Sequence, residues 1–335
     1  MSEKAKHFFE EFVGQPADQF ITLAQSGSSR INYIGEANKK KYIITENNFL
    51  RENKSFLYLS EVFSSLNLNT PKIHKVNPEE TIYIQDFLGK ETLSEIISKE
   101  KESDRVKKLI KDTLTKLFNL QEKSSNLVDY SKAFEYESYN DLPILHDLYY
   151  FKNFMVDVLE LPYHKAKLLT EFKHITSHID QLEPKGIMLR DFQSRNIMVD
   201  NDDRIGFIDY QSAMQGPLLY DVISLLYQAK ANFSEDFKNE MIEDYINLFP
   251  PAKQEELNES FEPLLMMRLL QVLGAYGFRG LIQKKAHFID SINQGINNIK
   301  TFTNQYKFLK DYPELSAIIK LLNDPKTKEK IKSLI

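Results

Sequence analysis

Asp191, Asn196 and Asp209 are the residues whose types and spacing could do chemistry. They bracket two short apolar runs, Ile197-Met198-Val199 and Ile205-Gly206-Phe207-Ile208, which flank the turn-like Asn201-Asp202-Asp203. Apolar runs around such a turn predict a β-hairpin. Asn196 follows Asp191 by five residues, and Asp209 follows Asn196 by thirteen. A carboxylate can accept or orient a proton. A carboxamide and a second carboxylate supply the hard oxygens that Mg²⁺ takes, and substrate phosphates and water complete its shell. A base, a metal and a phosphate are the parts of phosphoryl transfer, in which positioning and electrostatics do most of the work. Asp and Asn also make Asx turns and caps, and that plain reading is kept for Asp202 and Asp203. The joint pattern is harder to reduce to turns: an apolar pair, Arg-Asp, Asn at plus five, two short strands, then Ile-Asp.

The elements that must position these residues can be read from periodicity. Residues 1–13 read as a short helix. "QFITLAQSGSSRINYIGE" gives a strand, a Gly/Ser turn and a second strand, and "KKYIIT" gives a third. Leu50, Phe56, Leu57, Leu59, Val62, Phe63 and Leu66 recur at helical spacing. "NTPKIHKV" and "TIYIQDFLG" read as two more strands. After Gly89 the character changes. Residues 102–122 form an amphipathic helix, 142–180 read as two or three helices, and helices resume from Leu218. The reading is α+β: a small antiparallel sheet with one helix over 1–88, and a larger helical region over 89–335 that is interrupted by the hairpin. Ligand sites favour such boundaries.

The whole chain excludes several classes. It has 335 residues, 42% of them hydrophobic, and a net charge of −5. That balance gives no support to a nucleic-acid partner or an anionic membrane surface. No apolar run approaches the length of a membrane span. The stretch "MSEKAKHFFEEF" is charged and lacks a signal peptide's apolar core, so no such peptide is expected. There is no cysteine, which removes disulfides and thiolate metal sites and makes a reducing cytoplasm the simplest home. A small-molecule partner and a monomer are expected.

"LRDFQSRNIMV", "GFIDYQSAMQGPLLYDVISLL" and "LLQVLGAYGFRGL" resemble the aminoglycoside phosphotransferase-like kinases, distant relatives of protein kinases. Within them they look most like the bacterial cell-wall-recycling kinases, which phosphorylate the anomeric hydroxyl of N-acetylmuramate and N-acetylglucosamine. The resemblance spans roughly residues 15–300 and is most specific at 188–226. It implies a protein-kinase-like two-lobe fold, with ATP or GTP and Mg²⁺ as cofactors. It makes Asp191 the catalytic base and gives Mg²⁺ to Asn196 and Asp209. It sets Asp221 on a buried helix, bracing the catalytic loop through backbone N–H groups. The apolar neighbours Val222, Ile223, Leu225, Leu226 and Tyr227 agree with a buried acid there. The alternative is an exposed first-turn Asp favoured by the helix dipole. The family usually has His where Leu189 stands.

The resemblance also places the nucleotide. The turn Ser26, Gly27, Ser28, Ser29 and Arg30 is the candidate phosphate loop, through backbone N–H groups, hydroxyls and a guanidinium; a generic hairpin turn is the alternative. The third strand should carry a Lys paired to a helix Glu, but "KKYIIT" has none in register. Phosphate neutralisation then falls to Arg30 and Mg²⁺. Glu52, in the following helix, is a candidate for a positioning role but is read chiefly as a solvated residue of the helix face. Asp86, Phe87 and Leu88 match the segment whose backbone meets adenine. On the acceptor side stand Arg195, Asp147, Tyr276 and Arg279. Three of the chain's 11 glycines fall within 274–280, which asks for either tight helix packing or a close ligand. An amino sugar is the expected acceptor. An aminoglycoside, choline or another small alcohol is the alternative within the class, and a nucleotide-binding regulator without catalysis is the alternative outside it.

Overall fold

The computed structural model describes residues 2–24 and 30–334. The first elements are α1 (Glu3–Val13), β1 (Gln19–Thr22), β2 (Ile31–Ala37), β3 (Lys40–Glu46), α2 (Leu50–Ser65), β4 (Ile73–Val76) and β5 (Ile82–Asp86). β6 (Glu91–Thr92), α3 (Leu93–Glu100), α4 (Asp104–Ser124), α5 (Asp141–Phe151), a π-helical turn (Lys152–Asp157) and α6 (Lys165–Asp180) follow. β7 (Lys185–Met188), β8 (Ile197–Val199), β9 (Ile205–Phe207) and β10 (Met214–Pro217) precede α7 (Leu219–Leu226), α8 (Glu235–Ile246) and α9 (Pro251–Tyr276). Last come a second π-helical turn (Gly277–Ile282), α10 (Ala286–Gln305), α11 (Pro313–Leu322) and α12 (Pro325–Ser333).

The chain divides into two compact units: residues 1–137 with 189–214, and residues 138–188 with 215–335. The sequence reading draws its line at 88/89 and so assigns the hairpin to the helical part. In the structure, residues 89–137 and the hairpin group with the sheet. The reasons are local. β6 pairs antiparallel with β8, giving the hairpin a third strand. Asp203 at the hairpin turn holds Arg105 of α4 at 2.7 Å. The Phe207 N–H donates to the Asn69 carbonyl at 2.7 Å.

The main sheet of the first unit is five-stranded and antiparallel throughout, in the order β1-β2-β3-β5-β4. Alternation sets its faces: Tyr33, Gly35 and Ala37 of β2 are buried while their neighbours are less so. Together with Ile44, Ile82 and Ile84 they form a core with Phe9 of α1. The hairpin pairs Ile197 with Phe207 and Val199 with Ile205. Gly89 sits at φ +154°, where a Cβ would lie 2.5 Å from the Val199 carbonyl oxygen. Glycine is needed there both for the dihedral and for the close approach.

The second unit is helical, with β7 and β10 as a two-stranded pair. α5 and α9 pack together, as do the two π-helical turns that follow them, and Gly274 and Gly277 mark where they touch. Gly277 has φ −59°, which any residue could adopt, yet a Cβ there would lie 2.0 Å from the Phe154 carbonyl oxygen. Gly274 likewise faces the backbone of Phe151 at 2.8 Å. Tight packing therefore accounts for these two glycines. Gly277→Ala gains about 1 kcal/mol of helix propensity, but it forces rigid backbone apart, at a cost of about 1–3 kcal/mol or more. The clash should win. We expect a thermal midpoint several degrees below wild type by calorimetry, and an unchanged or raised midpoint would contradict the packing account. Among the described residues, no helix is long and apolar enough to cross a membrane.

Candidate active site

The segment entering the hairpin is held in a sparsely populated backbone conformation. The Asp191 N–H donates to the Leu189 carbonyl at 2.8 Å, and Arg190 between them has φ +66°. That is an i to i+2 turn around a left-handed residue, a strained arrangement that persists only where its surroundings impose it. Leu189 contributes its carbonyl to the turn, and its side chain is buried. Asp191 itself is half-buried.

Asn196 ties the site together. Its side-chain amide donates to the Asp191 carbonyl at 2.9 Å. Its own carbonyl accepts from the Ile208 N–H at 3.0 Å, next to Asp209. One residue thus fixes both flanks of the hairpin. With its amide nitrogen committed to Asp191, its oxygen is the atom left to serve as a ligand. Asp209 has φ +64°, a region uncommon outside glycine but several-fold enriched for Asp and Asn.

Asp209, Tyr210 and Gln211 are locked onto α2. Tyr210 stacks on Phe56 at 4.8 Å between centroids, and its hydroxyl meets Ser60 Oγ at 2.6 Å. Burial pushes the Tyr210 phenol well above its ordinary range, so it stays a neutral anchor. Ser55 Oγ donates to the Gln211 carbonyl at 2.9 Å, and Gln211 Nε2 donates to Asp209 Oδ1 at 3.2 Å. The sequence reading gives no role to Tyr210, Gln211, Ser55 or Ser60, although the first two lie in the quoted motif. For Ser55 and Ser60 the only signal is polar residues among the apolar positions of α2, which reads equally well as a solvated face.

Arg30 reaches the same point. Its guanidinium is ion-paired to Asp209, donates through Nη1 to Gln211 Oε1 at 3.2 Å, and lies with Nε 3.5 Å from Glu52 Oε1. Burial alone would lower its pKa, but Asp209, Tyr83 and Glu52 outweigh that and hold it above its ordinary value. Glu52 corrects the sequence reading. It is 9% exposed, not solvated, and Asn47 Nδ2 donates to its other oxygen at 2.8 Å. Ser26, Gly27, Ser28 and Ser29 lie outside the described residues. Asp86 accepts from the Lys72 N–H at 3.0 Å and meets His74 Nε2 at 2.7 Å. Leu88 packs over Gly206 of β9, and Phe87 beside it is half-buried. Arg195 is exposed.

The remaining candidates belong to the second unit. Asp147 is buried and accepts from the Tyr139 hydroxyl at 2.9 Å. Arg279 lies over the Phe288 ring at 5.1 Å, and Tyr276 faces the same ring at 6.1 Å. Tyr150 shares this neighbourhood: its phenol is raised first by burial, with Arg279 pulling it down and Asp147 pushing it up. Asp221 is fully buried on α7, all eight residues of which are buried.

Among the described residues, no three or more His, Cys, Asp or Glu side chains gather into a metal cage. Mg²⁺ does not ask for one. The oxygen of Asn196 and the carboxylate of Asp209, each steadied by hydrogen bonds, are a donor set of the hard type that Mg²⁺ shares with nucleotide phosphates.

The family model described as "Phosphotransferase enzyme family" matches residues 23–256. The chain belongs to that family, and its fold is the protein-kinase-like one. Two curated relatives carry the name N-acetylmuramate/N-acetylglucosamine kinase. The one from Neisseria meningitidis serogroup B is 28% identical over 148 residues, 42% of this chain and 43% of that protein. The match therefore spans less than half of that relative's length. The one from Pseudomonas putida is 22% identical over 271 residues, 78% of this chain and 76% of the relative. Among solved structures, a thermostable mutant of the aminoglycoside phosphotransferase APH(4)-Ia, in ternary complex with ADP and hygromycin B, superposes with a TM-score of 0.58. It is 16% identical and covers 90% of this chain and 98% of that one.

Proposed function

We propose that this protein is an ATP-dependent small-molecule kinase that phosphorylates the anomeric hydroxyl of an N-acetylated amino sugar, in cell-wall recycling. The observation that carries the reading is the double tie of Asn196, to the Asp191 carbonyl and to the N–H beside Asp209. It gives a base and a metal-binding pair one rigid frame, which is what an in-line transfer with little covalent chemistry requires. The names of both curated relatives point to the same acceptor.

In this reading Asp191 accepts the proton of the sugar hydroxyl. Asn196 and Asp209 hold Mg²⁺, which when bound neutralises charge on the transferring phosphates. Arg30, with Ser26, Gly27, Ser28 and Ser29, serves the phosphates, and the backbone of Asp86, Phe87 and Leu88 serves the adenine. Arg195, Asp147, Tyr276 and Arg279 serve the acceptor, and Asp221 braces backbone N–H groups. Leu189 supplies the Asp191 turn with a backbone carbonyl, which any residue at that position provides.

The test is incubation with Mg²⁺, ATP and N-acetylglucosamine or N-acetylmuramate, followed by phosphorus NMR. A sugar 1-phosphate is expected. Product at another hydroxyl would refute the anomeric assignment. Product only with choline or an aminoglycoside would keep the kinase and change its acceptor. No nucleotide consumption with any acceptor would leave a nucleotide-binding regulator.

A further inference from the structure

The kinase reading leaves a gap in the sheet, and the geometry around Arg30 fills it. β3 carries two lysines, and neither points at the site. Lys40 is exposed, and Lys41 pairs across the strands with Glu36 at 3.3 Å. Where a phosphate-gripping lysine would follow the apolar pair Ile43-Ile44 stands Thr45. It is buried and engaged on both sides: it donates to Asn32 Oδ1 at 2.7 Å and accepts from Gln85 Nε2 at 3.0 Å. A cation is nonetheless delivered to Asp209, from the mouth of β2 instead of the middle of β3. A helix carboxylate waits for it: Glu52 is buried, oriented through one oxygen by Asn47, and has the other 3.5 Å from Arg30 Nε. Glu52 and Ser55 stand three apart on one face of α2, so the helix that steers Arg30 also holds Gln211.

We propose that Arg30, tethered by Glu52, grips the nucleotide phosphates in place of a β3 lysine, and that it gives up Asp209 in doing so. The proposal rests on the kinase reading. A guanidinium suits the exchange because its donors diverge. Nε can stay on Glu52 while the two terminal nitrogens turn from Asp209 and Gln211 to a pair of phosphate oxygens. Asp209 then loses a bound cation at the moment the metal and phosphates arrive. Arg30 is therefore a competitor of the metal before nucleotide binds and a partner of the phosphates afterwards.

Those two roles have opposite signs, and that makes them measurable without turnover. In Arg30→Met, affinity for Mg²⁺·ATP, titrated by calorimetry, should fall on the order of ten- to a hundredfold, the scale of a lost charged hydrogen bond. Affinity for Mn²⁺ alone, followed by electron paramagnetic resonance, should rise. Glu52→Gln should weaken Mg²⁺·ATP less than Arg30→Met, and Arg30→Lys should recover part of the loss. The lysine variant also guards against misfolding of the methionine variant, and thermal melts monitor both. If Arg30→Met binds Mg²⁺·ATP like wild type, or if metal and nucleotide affinities fall together, the proposal is overturned and Arg30 is a structural ion pair. If wild type itself binds no nucleotide, the kinase reading fails first and takes this proposal with it.

Discussion

Asp209→Asn is expected to abolish Mg²⁺-dependent phosphoryl transfer while leaving the molecule folded. The substitution is nearly isosteric. Asn tolerates the left-handed backbone that Asp209 adopts at φ +64°, and its amide oxygen can still accept from Gln211 Nε2. The anchors on either side, Tyr210 against Phe56 and Ser55 against the Gln211 carbonyl, do not involve the Asp209 side chain. Arg30 loses one counter-ion but keeps Glu52, so a modest drop in melting temperature is expected, not collapse. What disappears is the carboxylate that the proposed function gives to the metal. A catalytic metal supplies several kcal/mol of charge stabilisation in the transition state, and about 1.4 kcal/mol is a factor of ten in rate. A loss of about a thousandfold or more should follow. The measurement is ADP release against Mg²⁺ concentration, with calorimetry beside it. Turnover like that of wild type would show that the metal is held elsewhere.

Much of this arrangement was legible before any coordinates, for a physical reason. Strands, helices and the hairpin announce themselves by period, and the hairpin fixes how far apart its flanking residues can lie. Asp191, Asn196 and Asp209 stand out as candidates because the chemistry proposed for them depends on chain-local spacing. Tyr210, Gln211, Ser55 and Ser60 are not, because they are brought together across 150 or more residues and each is ordinary by itself. Glu52 shows the limit most clearly. A charged residue in an amphipathic helix is usually solvated, and its burial here depends on Arg30 and Asn47, which meet its two oxygens. The glycines at 274 and 277 were legible as a demand for closeness, but not for closeness to what: the backbones at Phe151 and Phe154 answer that. The short strand β6 was missed because two residues carry no period.

Asp191→Ala should cut turnover by about 10²–10⁴, the usual contribution of a positioned general base, and leave nucleotide affinity nearly unchanged. The expectation of selectivity comes from how the site is wired. Asn196 holds the backbone carbonyl of Asp191, not its carboxylate, and the turn to Leu189 uses the Asp191 N–H. Alanine retains both groups. The left-handed strain sits on Arg190, so the substituted position need not absorb it. Arg30, Glu52 and Asp209 are fixed by α2 and Gln211, and none of their hydrogen bonds described above passes through the Asp191 side chain. Only the carboxylate proposed as proton acceptor is lost. An anomeric hydroxyl is more acidic than an ordinary alcohol, so a carboxylate is a well-matched base for it, and the residual rate should reflect positioning alone. The experiment pairs kcat for sugar phosphorylation with the dissociation constant of Mg²⁺·ATP. An unchanged kcat would remove Asp191 from the chemistry. Nucleotide affinity falling in step with kcat would make Asp191 a structural residue of the loop, and the base would then have to be sought elsewhere.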